Sequence, residues 1–145
     1  MKCVIQRVYS ANCVVNDEIV GEINKGLVIY LGVSKNFDEK KIDWIIDKIL
    51  NLKLWKSENK FDLSVEDILG DILVISQFTL FGDSKKGTKL NFNDAMNSND
   101  AKIVYENFIL RLKDKCNLNI QTGVFGALME INQKNDGPVT IIIEK

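Results

Sequence analysis

Asn24-Lys25-Gly26-Leu27-Val28-Ile29-Tyr30-Leu31, followed by Ile42, Ile45, Ile46 and Ile49, decides how the chain is read. Asn24-Lys25-Gly26 is a turn signal, and the run after it is apolar enough for a central strand. The period then changes. The four isoleucines fall at i, i+3, i+4 and i+7, and Asn36 and Glu39 stand ahead of them like a capping pair, so residues 37–51 are expected as a helix. So apolar a stripe must lie on a sheet.

Working outward, Lys2 to Tyr9 and Asn12 to Val15 read as short strands, and Asn16-Asp17 turns the chain into a further strand from Glu18 to Ile23. Downstream, Leu52, Leu54 and Trp55 read as a return strand, Ser57 to Gly70 as an irregular connection, and Ile72 to Gln77 as a second buried strand. Gly82 to Met96 is polar with little periodicity and is expected as a loop beside whatever site the strand exit forms. Ala101, Val104, Tyr105, Phe108, Leu112 and Cys116 mark one face of a second helix, from about Asn99 to Cys116. Ile120 to Val124, Leu128 to Asn132 and Val139 to Glu144 close the chain as strands. The expectation is one strand-rich α/β domain over residues 1–145, with mixed β-sheets covered by two main helices.

Composition bounds the function. With 145 residues, 46% hydrophobic and 27% charged, the chain can bury one real core. No apolar run approaches the roughly 18 residues of a membrane span, and Met1-Lys2-Cys3-Val4 lacks a signal-peptide core. A cytoplasmic protein without a membrane partner is expected. The three cysteines, Cys3, Cys13 and Cys116, have no metal-type spacing and read as reduced and structural. The most restrictive number is the count of histidines, which is 0. No Ser-His-Asp triad, Cys-His pair or histidine-based zinc site can be built, so no cofactor or metal is expected. A net charge of −1 gives no general footprint for nucleic acid. RNA contact therefore has to be local: Lys85, Lys86 and Lys89 around Gly87 are the first candidates and Lys53, Lys56 and Lys60 the second, although lysines in loops are also simply solvated.

Two motifs carry chemistry. The only proline, Pro138, sits in Asn135-Asp136-Gly137-Pro138-Val139-Thr140, ahead of Ile141-Ile142-Ile143. Ordinary usage of about 5% would give roughly seven prolines. A Gly-Pro junction is where a cis peptide is cheap, since the trans preference falls to about 0.5–1 kcal/mol; the alternative is a tight turn launching the last strand. Ser76-Gln77-Phe78-Thr79-Leu80 lies at a strand exit, where a chain leaving its ladder frees N–H groups for a carbonyl or a developing oxyanion. Phe78 alternates with the strand and is also a candidate for core. Thr79 is open to three readings: a nucleophile without an evident base, a positioning donor, or a structural strand threonine.

Taken with Thr122-Gly123-Val124-Phe125-Gly126-Ala127-Leu128-Met129, Val4-Ile5-Gln6-Arg7-Val8 and Asp83-Ser84-Lys85-Lys86-Gly87, these motifs resemble the D-aminoacyl-tRNA deacylase family over essentially the whole chain. The resemblance implies the same fold, barrel-like and homodimeric, and hydrolysis of the ester between a D-amino acid and the terminal adenosine of tRNA, with glycyl-tRNA mischarged on an alanine tRNA as a second substrate. It implies that Ser76, Gln77, Phe78 and Thr79 line the pocket, the last three contributing to catalysis, with Phe125 and Met129 as further walls that could equally be core. It implies too that the neighbouring ribose 2′-OH assists the attack, which suits a chain without histidine. The resemblance implies further that Gly137 and Pro138 are joined by a cis bond, reach into the partner's pocket and reject L substrates. One stretch departs from the family pattern: after the Lys-Gly pair, Lys89-Leu90-Asn91-Phe92 lacks the usual proline, which puts the loop's shape in question. Two other classes stand beside this reading, a DNA-binding module associated with replication and a non-catalytic interaction domain.

Overall fold

The structure is a computed structural model and describes residues 1–58, 60–85 and 87–145. Strand β1 (Lys2–Val15) is the spine of the sheet. It pairs antiparallel with β2 (Glu18–Ile23), with β3 (Gly26–Gly32) and with the last strand β8 (Glu130–Glu144). Strands β6 (Asp71–Ser76) and β7 (Ile120–Thr122) extend the sheet beyond β3, all three running parallel. β2 leans against β7 so closely that a Cβ on Gly21 would lie 2.6 Å from the Thr122 carbonyl oxygen. The sheet thus curls into a nearly closed barrel.

Period-2 alternation divides the core in two. Leu27, Ile29 and Leu31 of β3, with Ile72 and Val74 of β6, face the helices α1 (Ile42–Asn51) and α2 (Ser98–Lys115). Val28, Leu73 and Ile75 face the barrel interior, with Val8, Cys13 and Ile23. The central run is apolar throughout because both of its faces are covered. The α1 stripe Ile42, Ile45, Ile46 and Ile49 is fully buried, as its spacing requires.

Several boundaries differ from those expected. Helix α1 begins five residues later than 37, behind a short 3₁₀ turn at Glu39–Lys41; Asp38, not Asn36, caps that turn by accepting from the Lys40 N–H. The two short strands expected at the N-terminus are one continuous β1. The stretch read as irregular holds part of a hairpin, β4 (Trp55–Ser57) with β5 (Lys60–Leu63). The last two expected strands are likewise one, β8, so the Gly-Pro junction does not launch a strand but interrupts one. Between Gln6 and Val8, β1 has one residue, Arg7; between their partners Thr140 and Asn135, β8 has Asp136 to Val139. The surplus bulges out of the ladder. Within it the Gly137–Pro138 peptide is cis and Gly137 has φ +125°, a region open to glycine. Among the described residues no helix is long and apolar enough to cross a membrane.

Candidate active site

β3, β6 and β7 all end at the same edge of the barrel, and a cavity of about 520 Å³ opens there. A crevice beyond the carboxyl ends of parallel strands is a usual place for a ligand. Its walls come from Gly32 and Val33 at the end of β3, Ser76, Gln77 and Phe78 at the end of β6, Phe125 and Met129 between β7 and β8, and Ser98 and Tyr105 of α2. Phe125 packs on the core beneath the helices and Met129 on the core inside the barrel, so the cavity lies where the two meet.

The strands separate because their ladders run out at different points. β6 pairs with β7 only as far as Val74 opposite Thr122, and the Gly123 N–H closes that ladder on the Val74 carbonyl at 3.1 Å. On the other side β6 continues with β3 until the Gln77 N–H donates to Leu31 O at 2.8 Å. A Cβ on Gly32 would lie 2.8 Å from Gln77 O, so glycine is what lets the two strand exits approach. Phe78–Phe81 then forms a 3₁₀ turn. Ser76 lies past the last β6–β7 pair, and on the β3 side the bond to Leu31 is made by Gln77, so among the described residues the amide N–H of Ser76, like those of Phe78 and Thr79 that open the 3₁₀ turn, is left without a ladder or turn acceptor. Three donors left free at a cavity mouth are suited to hold a carbonyl oxygen or an oxyanion.

Ser76, Gln77, Phe78, Phe125 and Met129 are thus brought together, all on the cavity wall. Phe78 is not core: it is 59% exposed and meets Phe92 edge-on, with 5.1 Å between ring centroids. Strand alternation stops at Ser76, which is why it leaves the interior. Thr79 is exposed at the rim rather than on the wall, and its hydroxyl accepts from the Gln77 amide at 2.5 Å. An amide is not a base, and no other side chain among the described residues bonds this hydroxyl. Lys85 and Lys89 are exposed in the loop after the 3₁₀ turn, while Lys86 lies outside the described residues. Asp83 and Asn91 exchange two backbone hydrogen bonds, of 2.8 and 3.0 Å, that close the base of this loop. The bridge uses Asn91, so the proline missing at position 90 costs it no bond.

Gly137 and Pro138 stand apart. Both are exposed, and neither lines the cavity of its own chain. Arg7 fixes their neighbour Asp136 from behind: its Nε donates to Asp136 O at 3.2 Å and lies 3.1 Å from Oδ2, and its Nη2 donates to Oδ1 at 3.2 Å. Nη1 donates to the Leu54 carbonyl. The nearby Asp136 carboxylate raises the Tyr9 phenol above the ordinary range. Sequence reasoning gave Arg7 no role. Its signal was parity, since Cys3, Ile5 and Arg7 share the buried face of β1, and a buried arginine needs a partner. Tyr105 was read only as part of the α2 face.

The chain matches the family described as D-Tyr-tRNA(Tyr) deacylase over residues 4–144. It is 44% identical over 145 residues to a D-aminoacyl-tRNA deacylase of Thermosipho melanesiensis, covering 99% of this chain and 97% of that protein. A D-aminoacyl-tRNA deacylase of Clostridium botulinum is 48% identical with the same coverage. Among solved structures, one titled c-Myc DNA Unwinding Element Binding Protein superposes with TM-score 0.94 at 37% identity, covering 100% of this chain and 99% of that one. A probable eukaryotic D-amino acid tRNA deacylase, 17% identical with TM-score 0.85 and covering 98% and 97%, shares the fold.

Proposed function

Because the chain belongs to the D-aminoacyl-tRNA deacylase family, and so hydrolyses the ester of D-aminoacyl-tRNA, we propose that two copies pair about a two-fold axis and that the Asp136–Val139 bulge of each enters the cavity of the other. The observation that carries this is the pairing of an exposed loop, outside its own chain's cavity, with a buried ionic clamp behind it. A loop held that firmly, with Gly137 and Pro138 exposed, is suited to complete a site on a second copy, and two-fold symmetry lets each subunit give and receive it.

On this reading the main-chain carbonyls of Gly137 and Pro138 meet the substrate's α-amino group. An L side chain then collides with the main chain, a D side chain points away, and glycine has none to reject, which makes glycyl-tRNA a second substrate. The ester carbonyl rests against the free N–H groups of Ser76, Phe78 and Thr79 and against the Thr79 hydroxyl, which accepts from the Gln77 amide and keeps its own proton to donate. The ribose 2′-OH beside the ester assists the attack, and the protein supplies position and electrostatics rather than a nucleophile. Phe125 and Met129 shape the pocket. Lys85 and Lys89, with Lys86 of the same run, meet the phosphates of the incoming strand.

D- and L-tyrosyl-tRNA assayed side by side, with sedimentation of the same sample, test this. Rapid loss of the D ester only, from a dimer at micromolar concentration, is expected; a stable monomer that still discriminates overturns it. The likeness to the DNA unwinding element binding protein favours a second reading, DNA binding, which a duplex-binding titration run beside the deacylation assay separates.

A further inference from the structure

The cavity exists because β6 and β7 part after Val74, and one side chain holds that fork from the helix side. Tyr105 of α2 is 4% exposed, and its hydroxyl donates to the Val74 carbonyl at 2.9 Å. The same oxygen accepts the Gly123 N–H at 3.1 Å, so both of its lone pairs are occupied. The ring of Tyr105 forms part of the cavity wall and lies 5.6 Å from the ring of Phe125, tilted by 50°. Burial pushes its phenol well above the ordinary range, which keeps the hydroxyl a donor across the working pH.

We infer that the Tyr105 hydroxyl is a positioning group for ester hydrolysis: by tying α2 to the Val74 carbonyl it fixes where the β6–β7 ladder ends, and so aims the free N–H groups of Ser76, Phe78 and Thr79. It acts through Val74, two residues before Ser76, and touches no reacting atom. A buried carbonyl does not need a second donor for stability when the first is a ladder amide. Its use here is geometric, since the rigid helix sets the angle of a strand end that has lost its neighbour on one side. The inference rests on the reading of this cavity as the ester site.

Tyr105→Phe keeps the ring, the volume and the Gly123 bond, so the folded state is retained. With D-tyrosyl-tRNA, kcat should fall about tenfold while KM stays within about twofold, the pattern of an interaction realised in the transition state. The D-over-L ratio should be unchanged. Amide exchange at Ser76 to Thr79 should quicken about tenfold while that of β3 stays as it was. Unchanged kcat per folded molecule with a lower melting temperature makes Tyr105 merely structural and overturns the inference. A variant too unstable to assay does the same, because the Gly123 bond should then have sufficed. Thr79→Ala and Gln77→Ala run alongside separate the two levels. If these keep full activity, the reading of the cavity fails; if they lose it while Tyr105→Phe does not, only the role of Tyr105 fails.

Discussion

Ser76–Thr79 and Asp136–Val139 both break a strand, and they do so by opposite means. At Ser76 the ladder is allowed to run out: β7 departs after Thr122, β3 ends at Gly32, and the backbone that remains is donor-rich and opens from half-buried Ser76 and Gln77 to exposed Phe78 and Thr79 at the cavity. At Asp136 the ladder continues on both sides and the chain is forced out of it by surplus residues, leaving a convex, exposed turn. The first segment needs small residues and a neighbouring strand exit. The second needs a side-chain clamp, because a bulge has no ladder of its own to hold it. On the proposed pairing, the first receives and the second is inserted.

If the two regions divide the work, catalysis with one and stereochemistry with the other, substitutions in them should separate rate from selectivity. The largest loss of rate is expected from Thr79→Ala. A lost donor costs at most about 2.7–4 kcal/mol, or 10²–10³ in kcat, whereas a lost nucleophile removes the route altogether. Turnover should therefore remain, the D-over-L ratio should hold, and mass spectrometry should find no acyl group on Thr79. Gly137→Ala comes next. At φ +125° a side chain costs roughly 1–3 kcal/mol, and its Cβ would lie 2.9 Å from the Val139 nitrogen and 3.2 Å from Arg7 Nη2. The bulge should shift, narrowing the D-over-L ratio about tenfold or more while the dimer persists. A folded variant with full discrimination places the filter elsewhere.

Volume-conserving changes on the wall should matter less. Phe125→Leu and Met129→Leu, each costing under about 1.5 kcal/mol, should change rate by less than tenfold and admit no L substrate; L-ester hydrolysis by either would move the filter into the cavity. The smallest effect is expected from chelation and thiol alkylation. Burial pushes the Cys3 thiol up to about 12 and raises Cys13 as well, so neither offers a thiolate at neutral pH. Activity abolished by EDTA and restored by zinc would show that the donor arrangement has been misread.

The asymmetry between the two regions also governs what could be read from sequence. Patterns set by local periodicity were legible: the isoleucine stripe of α1, the doubly covered β3 and the polar stretch after Gly82 are each consequences of neighbours in sequence. Ser76–Thr79 was legible as a strand exit for the same reason. What failed was whatever depends on a distant partner. Phe78 continues the alternation on paper, and only the departure of β7 turns it outward. The bulge at Asp136 looked like a turn because the strand on its far side is recognised only when β1 is seen to pair along both halves of β8. Arg7 lies 129 residues from Asp136, and no local pattern names a partner at that distance.

The central claim, that the bulge of one copy completes the cavity of the other, is tested most directly by mixing two defective chains. One carries Gln77→Ala and Thr79→Ala and keeps an intact bulge; the other carries Gly137→Ala and keeps an intact cavity. Each homodimer should be poor at selective hydrolysis of D-tyrosyl-tRNA. In mixed dimers formed by co-expression, one of the two sites combines a sound cavity with a sound bulge from the other subunit, so about a quarter of wild-type selective activity per chain should return, half the dimers being mixed. Activity no greater than the sum of the two homodimers would show that the bulge serves its own chain or no site at all.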